Sequence, residues 1–410
     1  MEARTKALET LNRIFTKKEY SNIAINNTLK NSTMNDKDKG LYTQIVYGVL
    51  KNKLLLDFHL RPYTDGKKLK NWMRHLLELS VYQLLFLDRV PSYAVLSEAV
   101  EIAKTIDFNA SKLINAILRN FEVQKQPTED YIKYSMNEWL YKQIKGQYPE
   151  NYEAILTSYM EVPKLSARVN LMKIPRNRLT NDRVVASTVT NTGIIFKRGN
   201  IADTPEYKKG LVSVQDEASQ LVARTLNPKK TDVILDVCAA PGGKTTHIAE
   251  IMKNQGTVIA NDIHTHKLDL IKQNADRLGL TNIEYTNNDG TKLRKIHTRE
   301  TFDKVLLDAP CSGWGVIGRK PEIKYFQDQE SVDEIMKTQR ALLEEVATLV
   351  KVGGVLLYST CTINRGENDV QIKRFLRDHP NYELERENFI LPHENHTDGF
   401  YIAKMKKVKR

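Results

Sequence analysis

Two cysteines lie in short motifs able to do chemistry, Leu307-Asp-Ala-Pro-Cys311 and Tyr358-Ser-Thr-Cys-Thr362, 50 residues apart. A thiolate is a strong nucleophile, so a thiol at a binding site points to covalent catalysis. A lone cysteine in an apolar stretch is more often inert packing. Here all three cysteines, Cys238 included, stand at the ends of expected strands. Cys238 is assigned to packing or to the wall of a pocket. Three aspartates, Asp262, Asp289 and Asp308, close three expected strands, the last of them shared with Cys311. Each alone reads equally well as a helix cap or turn residue. Together they describe a crevice lined with carboxylates.

The crevice has a loop of its own, Cys238-Ala239-Ala240-Pro241-Gly242-Gly243-Lys244-Thr245, between an apolar strand and a helix. Glycines let a backbone approach a ligand closely, and free amides at a helix start favour negative charge. A nucleoside triphosphate, a dinucleotide or S-adenosylmethionine could use such a corner. The phosphate-loop pattern requires glycine where this chain has Cys238, and the dinucleotide fingerprint needs a third spaced glycine. Asp262 falls 20 residues after Gly242, where a carboxylate can accept ribose hydroxyls. Asp289 is expected at an adenine edge. Three carboxylates would repel a triphosphate but suit a sulfonium, so the expected cofactor is S-adenosylmethionine. A phosphate-loop nucleotidase is the lesser alternative.

Two thiols beside a methyl donor suggest one reaction. Carbon 5 of cytosine is too poor a nucleophile to attack a sulfonium methyl directly. A thiolate adding to carbon 6 makes carbon 5 nucleophilic, and loss of the carbon-5 proton then expels the thiolate. Asp308 is placed to hold the charge that develops on the ring.

Cys238–Thr245, Asp308-Ala-Pro-Cys-Ser-Gly313 and Ser359-Thr-Cys-Thr362 resemble the motifs of the RNA (cytosine-5)-methyltransferase family, nearest its B-type small-subunit (16S) ribosomal RNA branch. Pro91 to Lys104 and Ile114 to Asn120 resemble the NusB-type RNA-binding domain of that branch, and Ala167-Arg-Val-Asn170 matches its middle part. The resemblance implies Cys361 as nucleophile and Cys311 as the thiol aiding product release. It implies cofactor contacts from Cys238 through Lys244, Asp262, Asp289 and Asp308. Trp314 stands where relatives carry a smaller residue, and is expected to fill the loop wall rather than stack on the base. A transfer-RNA cytosine methyltransferase and a non-catalytic assembly or antitermination factor are the alternatives.

The elements that must position these residues follow from periodicity. Residues 1–127 read as an all-α domain of NusB type, with helices at Ala3–Phe15, Asp38–Lys51, Leu69–Leu87, Ser97–Ile106 and Ala110–Phe121. Residues 128–212 read as a small α+β RNA-binding module. Its stretch Pro163 to Arg178 holds five basic residues and no acid: Lys164, Arg168, Lys173, Arg176 and Arg178. From 213 to 410 expected strands (Asp232–Val237, Thr257–Asn261, Ile283–Thr286, Lys304–Leu307, Gly354–Ser359, Phe400–Met405) alternate with helices, one of them Glu367–Asp378. The fold class is therefore α/β, a Rossmann-like, parallel and doubly wound sheet.

Charge supports the division. The net charge of +12 is distributed as +5 over 1–140, +6 over 141–210 and +1 over 211–410, so the first half is the expected holder of a polyanion. The expected partner is small-subunit ribosomal RNA. No membrane and no metal are expected, the chain should be a monomer, and three cysteines with no secretory signal suit the cytoplasm.

Overall fold

The computed structural model describes residues 1–409. Apolar residues at three- and four-residue spacing fold the first stretch into helices Glu2–Lys17, Ser21–Lys30, Asp36–Thr64, Asn71–Phe86, Ser92–Ile106 and Phe108–Arg119. One core unites them, with Leu11, Ile14, Tyr42, Ile45, Leu50 and Leu76 wholly buried. Side-chain caps set two of the starts: Asn35 accepts from the Asp38 N–H at 3.0 Å and Asp107 from the Ala110 N–H at 3.1 Å. Helix Asp36–Thr64 outruns the expected stop at Lys51, because Leu56 and Leu60 resume the buried stripe beyond the polar Lys51-Asn-Lys53. Ser21–Lys30 was not anticipated. Its asparagine-rich text has weak helix propensity, and burial of Ala24 and Ile25 stabilises it instead.

The chain divides into two compact units. Helices Glu138–Gln147 and Tyr152–Met160 belong to the first unit, Met1–Met160, together with the segment Ile317–Gln327. Buried polar contacts explain that segment's membership. Lys324, wholly buried, donates to the carbonyls of Lys51 (2.6 Å) and Tyr134 (3.0 Å), and Glu322 accepts from the Ser21 N–H at 3.0 Å.

The second unit holds two sheets. The smaller is antiparallel, in the order β2 (Val184–Ala186), β3 (Gly193–Phe196), β1 (Leu165–Val169), β4 (Val212–Val214). The larger contains β5 (Val233–Asp236), β6 (Thr257–Asn261), β7 (Ile283–Thr286), β8 (Phe302–Asp308), β9 (Val350–Thr360), β10 (Tyr382–Ile390) and β11 (Phe400–Lys407). Its order is β10-β11-β9-β8-β5-β6-β7. The five strands from β9 to β7 are parallel, whereas β11 inserts antiparallel between β9 and β10. The sheet is therefore Rossmann-like but mixed, which corrects the all-parallel expectation. Strand β10 was missed because its text, Tyr-Glu-Leu-Glu-Arg-Glu, is charged and lies exposed on an edge. The chain winds outward from β5 through β6 to β7, then returns to β8 on the other side. The direction reverses between β5 and β8, and ligands of open α/β sheets bind at the carboxyl ends of such a pair.

The small sheet is tied to the large one by buried polar side chains, not only by the chain. Thr190 Oγ1 donates to Gln220 at 2.7 Å, and Ser187 donates to Glu217, both on helix Glu217–Leu226. Arg168 on β1 is the largest such tie. It is fully buried and holds Glu250 with two bonds, Nε at 3.0 Å and Nη2 at 2.8 Å. It also donates to the Gly243 carbonyl at 2.9 Å and to the Gln215 side chain. Removing one partner of a buried pair strands the other charge. Arg168→Ala should therefore cost roughly 3–5 kcal/mol in denaturant unfolding of the full chain. A cost within about 0.5 kcal/mol, the range of an ordinary surface substitution, would contradict this placement.

Candidate active site

The glycine loop leaves β5 at the reversal point. Gly242 has φ +96°, a conformation natural only to glycine, and helix Gly243–Ile251 starts directly after it. A Cβ on Gly242 would lie about 3.0 Å from Ile271, while one on Gly243 would meet nothing nearer than 3.7 Å. The loop is thus tighter at Gly242 than at Gly243, which is in ordinary contact with Gln215. Asn261 at the end of β6, not singled out in the sequence, holds its stem: its Nδ2 donates to the carbonyls of Val237 and Asn288, each at 3.0 Å. Asp262 is buried, and its two oxygens accept from the N–H groups of Ala240 (3.2 Å) and His264 (2.9 Å). One bond per oxygen leaves lone pairs free for a further donor.

Asp289 sits differently. Its Oδ1 caps a short helical turn through Thr291 N–H (3.0 Å) and Oγ1 (2.7 Å), and its Oδ2 pairs with Lys292 at 2.7 Å. The Lys292 contact, helped by Thr291, lowers its carboxyl to about 2. The capping role is realised here. Asp289 still lies by the loop's stem, since its neighbour Gly290 packs against Val237.

Lys244 links the loop to β8. Its Nζ lies 2.5 Å from Asp308 Oδ2 and 5.1 Å from the centre of the Phe400 ring. Burial opposes the ammonium charge, but Asp308 outweighs it and the pKa is raised. The other oxygen of Asp308 accepts from Ser359 Oγ at 2.7 Å. Ser359 opens the Ser-Thr-Cys-Thr motif, so one carboxylate joins the glycine loop to both cysteine motifs. The sulfurs of Cys311 and Cys361 stand 3.3 Å apart and both remain free thiols. The hydrogen bond from its neighbour, then burial, pushes the Cys311 thiol well above its usual range. Burial does the same to Cys238, which packs against the sheet core as expected of a wall residue.

Asp236, below the loop, was also missed. It is buried; Oδ2 accepts from Thr245 Oγ1 at 2.7 Å, while Oδ1 has no protein partner among the described residues. Burial pushes its carboxyl up to about 7. An acid closing a strand was the available signal. Trp314 is 1% exposed and lies in the turn Trp314–Val316, so it fills the wall and offers no face for stacking.

The five basic residues proposed for RNA contact do not share one surface. Arg168 is internal, because charge alone does not reveal a buried acid such as Glu250 awaiting it. Arg176 is half-buried and donates to the carbonyls of Ser187 (3.1 Å) and Thr190 (2.9 Å), and half-buried Lys164 donates to the Asn395 carbonyl at 2.7 Å. Lys173 and Arg178 are exposed. So are Arg183, Lys197 and Arg198, which the sequence reading passed over. Pairing of β2 with β3 brings Arg183 beside Lys197, through a bond from the Lys197 N–H to the Arg183 carbonyl at 2.9 Å.

Comparison with known proteins agrees with this architecture. Residues 223–406 match the family described as 16S rRNA methyltransferase RsmB/F, residues 1–123 the NusB family, and residues 136–196 the RsmF/B-like ferredoxin-like domain. The chain is 40% identical to the probable ribosomal RNA small subunit methyltransferase B of Bacillus subtilis, over 98% of each chain. It is 34% identical to the ribosomal RNA small subunit methyltransferase B of Proteus mirabilis, over 91% of this chain and 92% of that one. Among solved structures, PH0851 superposes with a TM-score of 0.87 at 29% identity, covering 99% of this chain and 98% of that one. NSun6 from Pyrococcus horikoshii with SFG superposes at 0.61 and 25% identity, covering 67% of this chain and 98% of that one. With such identity over nearly its whole length, the chain belongs to the RsmB/F family of S-adenosylmethionine-dependent ribosomal RNA methyltransferases.

Proposed function

We propose that this protein is a cytoplasmic enzyme that methylates carbon 5 of one cytosine in small-subunit ribosomal RNA through a covalent adduct on Cys361. The observation that carries this reading is the contact of two free thiols beside the Lys244–Asp308 pair, at the reversal point of the sheet. A methyltransferase acting on an already nucleophilic oxygen or nitrogen needs no such thiols.

The loop residues fit S-adenosylmethionine. The lone pairs of Asp262 suit ribose hydroxyls, and the unpartnered oxygen of Asp236 suits a cationic or hydroxyl donor. Cys238 to Gly243 would supply backbone and wall, and Asp289 the adenine side. When bound, the cofactor supplies an electrophilic methyl group to carbon 5.

The remaining steps belong to the chain's own residues. Cys361 as thiolate adds to carbon 6 of the cytosine, and the electron pair moves to carbon 5. Asp308, held between Lys244 and Ser359, faces the charge that gathers on the ring. Loss of the carbon-5 proton to solvent then returns the bonding pair to Cys361, which leaves as thiolate, with Cys311 aiding release. The target base must leave its stack to reach these thiols. Arg178, Arg183, Lys197 and Arg198 are the exposed cations around the small sheet best suited to phosphate contacts, whereas the Lys173 ammonium donates to the carbonyls of Lys209 and Arg277.

Labelled S-adenosylmethionine and unmethylated small-subunit ribosomal RNA should yield labelled 5-methylcytidine with the wild-type chain. Cys361→Ala should abolish transfer yet retain cofactor binding by calorimetry; label in any other nucleoside refutes the reaction. Cys311→Ala should accumulate a protein–RNA adduct stable on denaturing gels, and its absence removes Cys311 from release.

A further inference from the structure

Two identical thiols touch, yet the proposed reaction needs one as a thiolate and the other in a different role. Glu367 bonds to the loops of both. It is wholly buried, just ahead of helix Asp369–Asp378. Its Oε2 accepts from the Ser312 backbone N–H and from Gln339 Nε2, both at 2.9 Å. Its Oε1 accepts from Asn364 Nδ2 at 2.9 Å and from the Ser312 hydroxyl. Three of these donors are N–H groups that cannot accept, so they stabilise the carboxylate against its burial.

The bonds reach both cysteine loops. Ser312 follows Cys311 directly, and Asn364 lies three residues after Cys361. The Ser312 hydroxyl also meets Thr362 Oγ1 at 2.8 Å, which closes the two loops onto each other. Charges of both signs surround the thiol pair. Cys311 experiences Glu367 and Asp308, both anionic, as well as Cys361. Lys244, bound to Asp308, is the cation that interacts with Cys361. The Tyr358 hydroxyl donates to the Glu367 carbonyl at 2.8 Å, and burial keeps it un-ionised.

We propose that Glu367 is a positioning residue that clamps the two cysteine loops together and keeps the shared proton on Cys311, leaving Cys361 as the thiolate. Its catalytic meaning rests on the cytosine reading above; its effect on the thiols does not. Burial raises the Glu367 carboxyl, and its donors offset that cost only in part. During release the carbon 6–sulfur bond breaks with its electrons returning to Cys361. Cys311 keeps its proton and donates a hydrogen bond to the departing sulfur, while the carbon-5 proton passes to water.

The test is the pH dependence of iodoacetamide alkylation at each thiol in the full chain, read by peptide mass spectrometry. Only the thiolate reacts. In the wild type Cys361 should titrate at lower pH than Cys311; the reverse order overturns the proposal. Glu367→Gln should lower the Cys311 midpoint by about one unit, giving about tenfold more thiolate at a given pH, with a smaller change at Cys361. An unmoved Cys311, or equal shifts at both thiols as mere loosening would give, also overturns it. Should that variant fail to fold, Ser312→Ala keeps the carboxylate and must preserve the order of the two thiols. Alkylation needs neither RNA nor cofactor, so a failure of methyl transfer in the wild type would count against the cytosine reading alone.

Discussion

The ion pair between Lys244 and Asp308 is the constraint on which the rest of the site depends. It spans the reversal between β5 and β8, the place where the topology leaves strand ends uncovered. Through Lys244 the glycine loop is fixed to β8; through Ser359 the same carboxylate is fixed to β9. The glycine loop and both cysteine motifs are therefore joined through one carboxylate. The proposed reaction must align a methyl donor, a ring and a sulfur, and misplacement of reacting atoms by about 1 Å can cost about 100-fold in rate.

Burial decides what each charge in this protein does. Arg168, in a run of five basic residues, is enclosed and braces the start of helix Gly243–Ile251 through Glu250 and the Gly243 carbonyl. Lys324 is enclosed likewise, and burial drives its pKa well below the usual range. Arg183, Lys197 and Arg198 remain outside, where a phosphate backbone can reach them. The basic surplus is thus divided between internal bracing and surface, and only the second part is open to a phosphate backbone.

Much of this was legible in the chain, for physical reasons that differ by element. Strands β6 and β7 match the expected bounds because alternation ends sharply at Asp and Asn turns. Cys311 and Cys361 meet because consecutive strands of a doubly wound sheet are usually neighbours. Strand β11 was found but not its direction, which apolar pattern does not encode. Strand β10 was hidden by its exposed glutamates. Glu367 looked like the first residue of a helix, since nothing local announces that Ser312, 55 residues earlier, would bind it. Arg168 shows the same limit from the other side: a partner 82 residues away turned a surface candidate into a core residue.

The central claim is that Cys361, and not its neighbour, forms the bond to the base. RNA carrying 5-fluorocytidine traps such an adduct, because the fluorine replaces the proton whose loss would release the enzyme. Proteolysis of the trapped complex followed by mass spectrometry should find the nucleotide, methylated at carbon 5, on the peptide containing Cys361. A nucleotide on Cys311, or methylation of normal RNA with no trapped complex on the fluorinated one, would contradict the account.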